Sequence, residues 1–112
     1  GELVRSKSEK MLADKFYRMG IPYVYECPLM LQGFGYIRPD FVVLNKYTRK
    51  EYYWEHFGLM DQPEYINRAC QKIKLYFENG IIPGINLILT YETREHPLSI
   101  DQVEKIVKEY FQ

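Results

Sequence analysis

Two short stretches decide how this chain reads: Arg38-Pro39-Asp40-Phe41 and Trp54-Glu55-His56-Phe57-Gly58. Each sets a carboxylate within or at the end of a run that otherwise has the aromatic and β-branched composition of a buried strand. A carboxylate in such a run costs free energy unless a cation or hydrogen-bond donors meet it. Two of them on neighbouring strands of one sheet call for a shared positive charge, and a hard divalent cation with oxygen ligands is the natural candidate. Mg²⁺ suits that description, with Mn²⁺ as a substitute.

Working outward, Tyr36 to Leu44 reads as the second strand of a sheet, with Pro39 marking an edge or a bend, and Glu51 to Phe57 reads as the third, ended by Gly58. Before them, Ile21-Pro22 forces extended backbone into a first strand, Tyr23 to Cys27, so the three form a meander. Ser6-Lys7-Ser8-Glu9 fits a capping box and starts a helix near Lys7 that carries Leu12, Phe16 and Met19 and ends at Gly20. Beyond the third strand, Pro63 opens a helix running to Asn79, with Ile66, Ala69, Cys70, Ile73 and Phe77 at helical spacing. Ile85 to Tyr91 is apolar enough for a central strand buried on both faces, and a helical crossover implies that it runs parallel to the third strand. Ser99-Ile100-Asp101-Gln102 is a second capping box, opening a last helix with Val103, Ile106, Val107 and Tyr110 on one stripe. The order is αβββαβα, an α/β domain with a mixed four-stranded sheet flanked by helices.

Composition bounds the rest. The 112 residues are one domain's worth, and 46% apolar with 27% charged is a globular balance. Fifteen basic residues against fifteen acidic leave no overall field for a polyanion, so any such site must be local. The local basic groups are Arg5, Lys7 and Lys10, then Lys46, Arg49 and Lys50, then Arg68 and Lys74. Cys27 and Cys70 show neither zinc-ligand spacing nor a disulfide framework, which fits a reducing cytoplasm. No apolar run reaches the roughly 18 residues of a membrane span. The opening Gly1-Glu2-Leu3, without an initiator Met, suggests a domain excised from a longer protein. There is no Gly-rich phosphate loop, G-x-S-x-G elbow or H-E-x-x-H helix, which removes several enzyme classes and leaves the carboxylates.

A first helix with Glu9, then Pro39-Asp40 on one strand and Glu55 on the next, in an αβββαβα order, resembles the PD-(D/E)XK nuclease superfamily along essentially the whole chain. The resemblance implies a restriction-endonuclease-like core and Mg²⁺-dependent hydrolysis of DNA. It also implies an ion held by Asp40, Glu55 and the main-chain carbonyl of His56, often completed by the helix glutamate, Glu9. The family's lysine lies two residues after the second carboxylate, on the same face of the strand, and here that residue is Phe57. Lys72 is the preferred replacement: Tyr65, Arg68, Lys72 and Tyr76 form a helical stripe, and some members of the superfamily carry the lysine on this helix. His56 is the second candidate, although strand alternation points its ring away from the Glu55 face.

Each residue also has a plainer reading. Glu9 stands where a capping-box glutamate stabilises a helix unaided, Asp40 can pair with Arg38, Glu55 with a cross-strand cation, and Lys72 can be a solvated helix lysine. The expectation is a Mg²⁺-dependent endonuclease domain acting on DNA, as a homodimer or within a larger DNA-processing protein. The alternative is a catalytically inactive binding module on the same fold, for which Phe57 is the main argument.

Overall fold

The computed structural model describes residues 6–112, so Arg5 and the opening Gly1-Glu2-Leu3 lie outside the described residues. Helix α1 (Lys7–Arg18) is followed by strands β1 (Tyr23–Tyr25), β2 (Leu29–Leu31), β3 (Gly35–Ile37), β4 (Phe41–Leu44) and β5 (Glu51–Phe57). Helix α2 (Pro63–Glu78), strand β6 (Leu87–Tyr91) and helix α3 (Ile100–Phe111) complete the chain. The main sheet has the order β1-β4-β5-β6, antiparallel except for the β5–β6 pair, and β2 and β3 form a separate antiparallel hairpin. The class is α/β with a mixed four-stranded sheet and three helices.

Both helix starts follow their caps. Ser6 Oγ accepts from the Glu9 N–H at 3.1 Å, and Ser99 with Gln102 makes a full reciprocal box. The meander of the first three sheet strands and the parallel crossover through α2 also stand as the pattern implies.

Three readings need correction. Tyr36 to Leu44 is two strands, not one. Pro39 lacks an N–H, and the chain breaks at Arg38-Pro39-Asp40, so Gly35–Ile37 turns back on Leu29–Leu31 while Phe41–Leu44 joins the main sheet. The segment Leu29–Leu31 escaped the pattern because three residues are too few to show a period. Ile85 to Tyr91 gives a sheet-edge strand, β6, rather than a central one; Leu87 and Ile88 are buried on opposite faces because helices cover both sides. On α2 the buried residues are Ala69 and Tyr76, whereas Cys70 and Phe77 are exposed. The helix is rotated so that the Tyr65-Lys72-Tyr76 side meets the sheet.

Strand alternation sorts the core into two layers. Phe41, Val43, Tyr52, Trp54 and Ile88 pack against Leu12, Ala13 and Phe16 of α1 and Val103, Val107 and Phe111 of α3. Leu87 packs with Tyr76 and Ile81 on the α2 side, under Leu31 of the hairpin. Phe16, fully buried, is the junction of the larger layer, with ring centroids 5.5 Å from Tyr23, 5.3 Å from Phe41 and 5.0 Å from Trp54. Phe16→Ala is expected to lower unfolding free energy by about 3–5 kcal/mol in urea titrations, the cost of a large aromatic removed from a closed core. A loss below about 1 kcal/mol would show that the layer does not close on this ring.

Candidate functional site

The register places Asp40 and Glu55 side by side. Phe41 pairs with Trp54, so one step further along each strand brings these two residues together at the end of the β4–β5 ladder. Asp40 Oδ2 accepts a hydrogen bond of 2.7 Å from the His56 N–H. In an extended strand the carbonyl of a residue opens on the same side as its N–H, so the His56 C=O also faces the Asp40 side. Glu55 points to the α2 face and is 2% exposed. There Lys72 Nζ lies 2.7 Å from Glu55 Oε1, and Tyr76 Oη donates to the same oxygen at 2.5 Å. Glu9, from the first turn of α1, lines the same pocket of about 210 Å³ as Asp40, Glu55 and Lys72. Its carboxylate accepts from Tyr25 Oη at 2.5 Å.

Electrostatics follow from this crowding. Burial, reinforced by the charges of Glu55 and Glu9, pushes Asp40 up to about 7, against the opposing pull of the His56 N–H and Lys72. Burial also raises Glu55, although Lys72 and Tyr76 favour its charged form. The Tyr76 phenol is driven far above its ordinary range by burial and by the Glu55 charge, so it stays protonated and donates. The pocket thus holds three carboxylates, Glu9, Asp40 and Glu55, against the two cations Arg68 and Lys72.

The donor set is oxygen only, which matches a hard ion such as Mg²⁺. Asp40 Oδ1 and Glu55 Oε2 accept no hydrogen bond from the described residues. Yet no three His, Cys, Asp or Glu side chains among the described residues stand close enough to enclose an ion by themselves. Asp40 and Glu55 with the His56 carbonyl would hold it, and water or substrate oxygens would complete the shell, the usual arrangement for Mg²⁺.

The His56 ring does not join this cluster. It lies on the α1/α3 face, with Nδ1 2.9 Å from Thr90 Oγ1 and Nε2 2.6 Å from Glu92 Oε1. Thr90 Oγ1 accepts from Trp54 Nε1 at 3.0 Å, and Ser8 Oγ donates to Glu92. With its proton on Nε2, the ring donates to Glu92 and accepts from Thr90, which satisfies every member of the chain. Burial raises Glu92, but hydrogen bonds from Ser8, His56 and the Leu98 N–H outweigh it and hold the carboxyl below its ordinary value. The sequence reading overlooked Glu92; its signal was a carboxylate directly after an apolar strand.

Of the other nominated residues, Phe57 is buried and packs edge-on to Tyr65 at 6.4 Å. Lys46, Arg49 and Lys50 sit around the β4–β5 turn, at the opposite end of the strands from Asp40. Lys7 and Lys10 line a separate groove along α1 with Arg18. Arg38, the plainer partner for Asp40, makes no ion pair among the described residues. Both cysteines are free, and no described helix is long and apolar enough to cross a membrane.

No family model matches the chain. Over 81 residues, 71% of its length, it is 36% identical to an uncharacterized protein of Methanocaldococcus jannaschii, and it spans only 7% of that protein's length.

Because the folded-state value of Asp40 lies above its ordinary 3.8, the native state keeps a proton that the unfolded chain releases. This contribution is complete below about pH 4 and is lost as pH rises toward 7, and Glu55 acts in the same direction. In EDTA, stability measured by urea titration is therefore expected to fall over this interval, and to fall less steeply in Asp40→Asn. Identical slopes would mean that Asp40 is not desolvated as described.

Proposed function

We propose that this domain is a Mg²⁺-dependent nuclease of the PD-(D/E)XK type, hydrolysing DNA phosphodiester bonds at the Asp40–Glu55 pair. One observation carries the reading: α2 brings an ammonium to the carboxylate pair, with Lys72 Nζ 2.7 Å from Glu55 Oε1. The element order supports it, since α1, three meandering strands, a crossover helix, a parallel strand and a last helix match the restriction-endonuclease-like arrangement once the β2–β3 hairpin is taken as an insertion.

In this account Asp40 and Glu55 would hold the ion, while the His56 N–H fixes the rotation of the Asp40 carboxylate and Tyr76 that of Glu55. The chemistry such an ion supplies is polarisation of the phosphoryl oxygen and a lowered pKa for water. Lys72, with 31% of its side chain exposed, turns from Glu55 toward the scissile phosphate and stabilises the charge that gathers on its oxygens. Glu9 borders the same pocket and adds negative charge that favours cation binding. Cellular context follows the same reading: a cytoplasmic domain acting within a DNA-processing system.

The second reading, an inactive nucleic-acid or protein binding module, draws on one observation: Lys72 and Tyr76 both hold Glu55 Oε1, closing part of the site. DNA cleavage in Mg²⁺ and Mn²⁺ separates the two. Lys72→Ala is expected to reduce the rate by about 10²-fold or more, the cost of losing one preorganised donor to a transition-state oxygen, with Lys72→Arg retaining part of it. Undiminished turnover in Lys72→Ala overturns the assignment. Absence of cleavage on duplex, single-stranded and branched DNA favours the binding module.

A further inference from the structure

Phe34 stands at the tip of the β2–β3 hairpin and is 63% exposed, a large ring left open to water. A groove of about 410 Å³ separates it from α2, whose side contributes Arg68, Lys72 and Lys74. Arg68 and Lys72 also line the pocket of Asp40 and Glu55, so the groove adjoins that cluster along α2. Arg68 and Lys74 make no ion pair among the described residues. Glu78, one turn beyond Lys74, ends the basic stretch at the far side.

The tip is fixed in place. Leu29, Leu31 and Ile37 pack inward with Tyr76, Ile81 and Leu87. The Gln32 N–H donates to Asn79 Oδ1 at 3.0 Å, which ties the hairpin to the C-cap of α2. Gly33 and Gly35 take φ of +78° and +117°, the left-handed backbone that a turn this tight requires. An exposed aromatic on an anchored hairpin thus faces three cations across a groove beside the buried carboxylates: Lys72 paired with Glu55, Arg68 lying over the Tyr65 ring, and Lys74.

Resting on the nuclease reading, we infer that this groove binds a single-stranded segment of DNA and directs it to the Asp40–Glu55 cluster. Arg68 and Lys74 contact phosphates, and Phe34 stacks on a base. Cations alone would serve a duplex equally well. The ring decides between them, because the base faces of a duplex are covered by their neighbours and only an unpaired base offers one to a side chain.

The test is fluorescence anisotropy with short labelled oligonucleotides in EDTA, which separates binding from metal and from cleavage. The wild type is expected to bind single-stranded DNA more tightly than duplex. Phe34→Ala weakens that binding roughly tenfold, the cost of one lost base–aromatic stack, while Phe34→Trp retains it. Lys74→Gln flattens the salt dependence, and Tyr47→Ala, an exposed tyrosine beyond the far end of β4, leaves binding unchanged. Equal binding by the wild type and a folded Phe34→Ala overturns the inference, even if Mg²⁺-dependent cleavage is observed and the nuclease reading stands. So does a wild type that binds only duplex or only RNA. Phe34-dependent binding without cleavage on any DNA keeps the groove and removes the nuclease.

Discussion

Glu55 sits in the sheet at 2% exposure, and a carboxylate so enclosed needs a counter-charge that its own strand does not carry. Lys72 provides it from the helix that crosses over between β5 and β6. That reach depends on how α2 lies. Ala69 is small and buried, which lets the helix approach the sheet, and Tyr65, Lys72 and Tyr76 flank it on the same side at helical spacing. Tyr76 then takes Glu55, and Tyr65 accepts from the Gly58 N–H at 3.0 Å where β5 ends. The parallel crossover from β5 to β6 runs through this helix, and both the Glu55 ion pair and the packing of Tyr76 and Leu75 bear on how it is turned.

The opposite face is organised by a second polar chain. His56 alternates away from Glu55 and connects Thr90 and Glu92 with Ser8. Ser8 immediately precedes Glu9, so the hydrogen bonds that tie α1 to β6 also hold Glu9 beside the carboxylate pair. One strand residue therefore serves both faces: its backbone N–H fixes Asp40, and its ring anchors the helix that brings Glu9.

Much of this was legible in residues with strong local signals. Ser6 and Ser99 announced their helices because capping is a local interaction, and Glu51 to Phe57 announced a strand because its aromatics and β-propensity allow little else. Pro39 was read as a possible bend, but how far the chain turned there was not visible: whether Gly35–Ile37 continues the sheet or folds back on Leu29–Leu31 depends on tertiary pairing. Helix α2 was placed correctly in sequence and rotated incorrectly. Cys70 and Phe77 outrank Lys72 on any hydrophobic scale, and only the charge buried at Glu55 explains why the lysine faces inward. Glu92 and Tyr25 were missed for a related reason, since their roles lie in partners 84 and 16 residues away in sequence.

The central claim is that Asp40 and Glu55 form a divalent-cation site. Calorimetric titration of Mg²⁺ and Mn²⁺ into the wild type and into the Asp40→Ala, Glu55→Ala double variant, each with DNA present, tests it most directly. The account predicts a binding event in the wild type that disappears in a folded double variant. A wild type that binds neither ion, or a double variant that binds as the wild type does, contradicts it.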